Sequence, residues 1–131
     1  TPRGWHKIAE KFGQNAPLNS VFVARQATGE IYNPQLAAEF PQRDWILTRI
    51  LWLSGLEAGF NQGEGCDTYQ RYIYIHGTPE TEKMGEPLSH GCIRMRNPEV
   101  AELFDLISED ALVYISEQAL DLGRLNVSKS E

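Results

Sequence analysis

The longest apolar stretch of the chain, Trp45 to Leu53, is nine residues long and carries Thr48 and Arg49 inside it. A bilayer-spanning helix takes about 20 apolar residues, so this run is no membrane span. It is also short for an independent helix, and its Ile, Leu and Trp content fits a central strand. Arg49 in such a strand needs a carboxylate partner or an edge position. Shorter strand signals surround it. Val21 to Ala24 is entered through Asn15-Ala16-Pro17 and left near Thr28-Gly29. Arg71 to Ile75 alternates, with Tyr72 and Tyr74 on one side and Ile73 and Ile75 on the other. Leu112 to Ile115 is a further strand. His6 to Phe12 is ambiguous: Ile8, Ala9 and Phe12 make a helical stripe, whereas strand alternation is poor.

One helix is plain. Asn97 is expected as its N-cap and Pro98 as its first residue, with Glu99 at the positive end of the dipole. Val100, Leu103, Phe104 and Ile107 then recur at i, i+3, i+4 and i+7. A second Asn-Pro pair, Asn33-Pro34, opens a short helix through Phe40. The sum is a mostly β domain with one main covering helix. At 131 residues it is one domain, with a polar tail at 121–131. A net charge of −6 supplies no basic field, which excludes nucleic-acid binding. Two cysteines are too few for a disulfide scaffold or a four-cysteine zinc site. The chain opens on Thr-Pro and not Met, so it is read as a processed product or a piece of a longer protein, whose upstream segment could hold an export signal.

The chemistry concentrates between Arg71 and Asn97. His76-Gly77-Thr78 and Ser89-His90-Gly91-Cys92-Ile93-Arg94 bring two of three histidines and one of two cysteines into 17 residues. His76 follows the Arg71–Ile75 strand, where the sheet holds a side chain that still opens to solvent. Pro79 to Leu88 lacks periodicity and reads as a loop able to return Cys92 to His76. Gly91 permits a tight turn, whose successive amides can converge on one point as an oxyanion site requires. A thiol is only a few per cent ionised at neutral pH, and an imidazole within about 3 Å is its usual base. Spacing alone leaves both His76 and His90 as that base.

The run from His76-Gly77-Thr78 to Ser89-His90-Gly91-Cys92-Ile93-Arg94 resembles the signature of the L,D-transpeptidase family, the YkuD-type catalytic domain. Thr1-Pro2-Arg3-Gly4 is similar to the family's Thr-Pro-x-Gly element. Ile46 to Glu57, Arg71 to Ile75 and the Asn97 to Ile107 helix also resemble its domain. The resemblance implies a β-sandwich-like fold over residues 1–120 and a cysteine acyltransferase of bacterial peptidoglycan. Cys92 would attack the bond before the terminal D-Ala of a tetrapeptide stem. An amine would then resolve the thioester, or water in a carboxypeptidase. His76 would be the general base, oriented by the Gly77 carbonyl. His90, Gly91 and Cys92 would frame the oxyanion site, with Ser89 beside them, and Arg94 would serve a substrate carboxylate or loop order. No cofactor and no metal are implied. The partners would be donor and acceptor stems, and the compartment periplasmic or otherwise extracytoplasmic. The family's domain usually begins with strands upstream of the Thr-Pro element. Their loss would leave an edge open to homodimer formation.

Two other functions compete. His76, His90, Cys92 and Cys66 carry donors suited to zinc, and a non-catalytic wall-binding module would keep the pocket without turnover. The remaining candidates are read as ordinary structure: Cys66, Asp67 and Thr68 in a turn, His6 on the surface or in a strand, Arg49 and Arg71 in ion pairs, and Trp5, Trp45 and Trp52 in the core.

Overall fold

The structure, a computed structural model, describes residues 1–81 and 91–116. They form strands β1 (Gly4–Phe12), β2 (Ser20–Val23) and β3 (Gln26–Ile31), helix α1 (Pro34–Glu39), strands β4 (Ile46–Gly55), β5 (Tyr74–Thr78) and β6 (Ile93–Arg96), helix α2 (Asn97–Leu106) and strand β7 (Leu112–Ile115). All seven strands join one sheet built around β4. β5 lines one edge of β4, from Leu47↔Gly77 to Trp52↔Tyr74. The other edge is shared: β1 takes Ile50 to Gly55, and β2 takes Ile46 and Leu47. β7 extends the sheet beyond β1, β3 beyond β2, and β6 beyond β5 as the parallel pair. This is the mostly β architecture with one main covering helix that the sequence predicts.

The apolar run reads as continuous because both faces of β4 are covered. Leu51 and Leu53 pack with Ile8, Ile73, Ile75, Val100 and Phe104 beneath α2. Ile50 and Trp52 pack on the opposite face with Phe22 and Tyr74, flanked by Phe12, Tyr69 and Cys92. The predicted stripe of α2 holds: Val100 and Phe104 are buried, and Leu103 and Ile107 pack beside them. Among the described residues Arg49 has no carboxylate partner, and its strand is not an edge. The register slips between Leu47 and Ile50, with Thr48 at a φ of 74°. There the guanidinium donates to the carbonyls of Ala16 (2.8 Å) and Thr48 (2.7 Å) and lies over the Phe104 ring. Carbonyl dipoles replace the expected counter-charge.

The ambiguity of His6 to Phe12 resolves as a strand with a bulge. Ile8 pairs with Leu53 and Glu10 with Trp52, so Ala9 is the extra residue that spoils alternation. α1 begins as expected, with Asn33 Oδ1 accepting from the Leu36 amide at 2.8 Å. Three expectations need correction. Asn97 does not cap α2: β6 runs directly into the helix, Arg96 takes the cap position, and the Asn97 side chain is buried. His6 lies in β1, the strand alternative of its reading, and is fully buried, its ring between the Gly4 carbonyl (3.0 Å) and Thr68 Oγ1 (2.9 Å). Thr68 lies in its turn but is fully buried, where a turn residue is by default solvated. Trp5 is half exposed against Tyr114, because β7 lies at the sheet's margin, whereas Trp45 and Trp52 are core.

Candidate active site

The site grows from β5 and β6. Arg71 and Tyr72 form a turn and not the start of the strand, since Tyr72 has a φ of 57° and its amide bonds the Tyr69 carbonyl. β5 starts at Tyr74, so His76 lies within the strand and not after it. The predicted alternation survives this shift. Ile73 and Ile75 face α2, and Tyr74 faces the other side. His76, two residues on from Tyr74, shares its face, pairing with Ile50 on β4 and Arg94 on β6. Ile93 and Met95 pack under α2, which turns Arg94 to the His76 side.

Cys92 precedes β6 by one residue and packs on the Ile50–Trp52–Tyr74 face. Its Sγ lies 3.3 Å from the Tyr74 amide, which donates to it, and 3.5 Å from the Tyr72 carbonyl, to which it donates. Cys92 is thus level with Tyr74, and His76 stands one diagonal step along the same face. Cys92 and His76 therefore share one face of the parallel β5–β6 pair. Gly91, at a φ of 117°, makes the bend into Cys92, and a Cβ there would press on Ile73 at 3.0 Å. Ser89 and His90 lie outside the described residues, as does the 121–131 tail.

His76 Nδ1 is 2.7 Å from the Gly77 carbonyl. A carbonyl only accepts, so Nδ1 carries the hydrogen and Nε2 presents a lone pair. Burial lowers the His76 pKa, against the raising pull of the Gly77 carbonyl and Asp44, and nearby Arg94 lowers it further. Burial also pushes the Cys92 thiol up, partly opposed by the Tyr74 amide. Both shifts favour the uncharged forms, thiol and neutral imidazole.

Two supports were not legible in the sequence. Asn97 accepts from Thr48 Oγ1 (2.7 Å) and donates to Asn19 Oδ1 (2.8 Å) and the Thr78 carbonyl (3.1 Å), tying β5 to β4. A Cβ on Gly77 would collide with Asn97 Oδ1 and the Leu47 carbonyl, so a glycine lets the strand close on them. The second is an aromatic group beside Cys92. Trp52 stacks on Tyr69 at 4.0 Å between centroids and meets Tyr72 and Tyr74 at 5.7 Å each. The spacing of Tyr69, Tyr72 and Tyr74 was the available signal. Cys66 stays in its turn, its thiol near the Gln62 and Gly63 carbonyls. Neither cysteine is in a disulfide. Among the described residues, no three His, Cys, Asp or Glu side chains gather as a metal site, so the zinc reading gains no support there.

A cysteine and a carbonyl-tethered histidine thus lie on one face of a mostly β domain. The family profile of the YkuD L,D-transpeptidase catalytic domain matches residues 1–115. The chain belongs to that family. A Bacillus subtilis (strain 168) protein named "Putative L,D-transpeptidase YqjB" is 46% identical over 47 residues, covering 36% of this chain. The aligned stretch spans 27% of that relative's own length. No solved structure matches the chain.

Proposed function

We propose that the chain is a cysteine-dependent L,D-transpeptidase acting on peptidoglycan tetrapeptide stems, with residues 1–120 as its catalytic domain. The observation that carries this reading is the common face of Cys92 and His76, with the imidazole's free lone pair on Nε2. Since burial favours the uncharged form of each group, the proton moves during attack. Cys92 Sγ bonds to the carbonyl carbon of the diamino acid while its proton passes to His76 Nε2. The oxyanion is held by amides around Gly91 and Cys92, with His90 and Ser89 completing the frame. The C–N bond to D-Ala then breaks, and His76 returns the proton to the leaving amine. An acceptor amine attacks the thioester, gives its proton to His76, and the thiol re-forms. Gly77 fixes the imidazole tautomer throughout, and Arg94 orders substrate or loop.

The substrate lies outside the cytoplasmic membrane, so the domain works in the periplasm or another extracytoplasmic space. Among the described residues no helix is long and apolar enough to cross a membrane. The test is incubation with disaccharide-tetrapeptide, following D-Ala release and product masses. Cross-linked dimer is expected. Tripeptide alone would make the protein an L,D-carboxypeptidase, and no D-Ala release would refute the reading.

A further inference from the structure

We infer that Arg25, held against the aromatic group beside Cys92, binds a free carboxylate of the donor peptide and makes the enzyme selective for stems that carry it. This inference rests on the function proposed above and names a recognition element for that site. The guanidinium lies 4.8 Å from the Trp52 ring and 5.2 Å from the Tyr72 ring, and its Nη1 donates to Tyr74 Oη at 2.9 Å. The same two tyrosines hold the cysteine, through the Tyr74 amide and the Tyr72 carbonyl. Arg25 is therefore one tyrosine side chain away from the sulfur. Among the described residues no carboxylate forms an ion pair with it. The nearby Glu10 is engaged by the Tyr69 hydroxyl.

A guanidinium stacked on rings and fixed by one bond keeps the rest of its donor fork preorganised for a planar carboxylate. The backbone adds an independent argument. Arg25 sits at the tip of the β2–β3 hairpin, between the paired residues Val23 and Gln26. Ala24 has a φ of 49° and Arg25 a φ of 66°. A two-residue turn with both φ values positive favours Asn-Gly, and bulky residues there are strained. Tyr72, against which Arg25 packs, is also left-handed, at 57°. The turn forgoes its preferred residues to project a cation over the site, and such strain gathers where function demands it.

Two sources supply the carboxylate: the terminal D-Ala, or an internal residue of the stem. The experiment separates them. The full chain and its Arg25→Asn and Arg25→Lys variants are given three donors: the free tetrapeptide stem, the stem amidated at its C-terminus, and the stem amidated at its internal carboxylates. Release of the last residue gives kcat and KM. Asn suits the left-handed turn, and an unchanged rate of Cys92 alkylation by iodoacetamide confirms that the variant site is intact. The wild type should lose roughly ten- to hundredfold in kcat/KM, mainly through KM, with one of the two amidated donors. Arg25→Asn should cut that preference below about threefold, and Arg25→Lys should keep part of it, as expected for a charge without the planar fork. Full discrimination by Arg25→Asn, or an equal loss on all donors, would overturn the inference. So would a wild type indifferent to amidation. Failure of the wild type to release D-Ala from any donor would sink the peptide-cleaving reading and this inference with it.

Discussion

The imidazole of His76 is tied at Nδ1 to the carbonyl of the next residue, which leaves one nitrogen to work with. His76→Ala should cost more activity than His90→Ala. His76→Ala is expected to lower kcat/KM for D-Ala release by about 10²–10⁴-fold, in the range of general-base loss. Because burial holds its pKa below the ordinary 6.5, activity should stay level as pH falls to about 6.5 and decline only below it. An acid limb above pH 7 would contradict a buried neutral base. His6 is held down by burial in the same way. Both rings take up protons more readily unfolded than folded, so the unfolded state binds more protons between the lowered values and 6.5. Stability is therefore complete above about pH 7 and is lost as pH falls through that window. Urea midpoints from pH 8 to 5 check the sign, and a midpoint rising on acidification would reverse it. Cys92 and His76 stand out in the sequence because their residue types and spacing are a local signal. The strand position of His6 was among its readings, but its burial against Thr68 was not, because that partner lies 62 residues away.

Among the elements, β5 depends on what presses against it. Asn97 reaches Asn19, Thr48 and Thr78 at once, so Asn97→Ala strands several buried polar groups. It should destabilise the fold by about 2–4 kcal/mol, measured by urea denaturation. A cost under about 1 kcal/mol would mean that solvent reaches those groups. The sequence assigned Asn97 to a helix cap because an Asn-Pro pair is a sound local signal, as Asn33-Pro34 proved. What differs is that β6 passes straight into α2, a fact of topology that residues 97–98 do not encode. β5 likewise starts three residues late because the left-handed Tyr72 breaks an otherwise good strand pattern. The strand's alternation was readable; its boundary was set by the turn from Asp67 to Tyr72.

Across the whole molecule, one helix and the central strands share a single apolar cluster. Phe104→Ala should cost about 3–5 kcal/mol and lower the Tm, as expected for an emptied aromatic site. Far-UV circular dichroism and tryptophan fluorescence should report the same transition in that variant, since both faces of β4 unfold together. Separate transitions would show that the Trp52 face is an independent unit. That face carries the central claim, an acylable thiol at Cys92 activated by His76. The most direct test is the intact mass of the protein after incubation with a carbapenem, an acylator of the family the sequence resembles. One added carbapenem mass is expected, mapped to Cys92 and absent from Cys92→Ala. An unchanged mass after long incubation, or an adduct that survives Cys92→Ala, would contradict it.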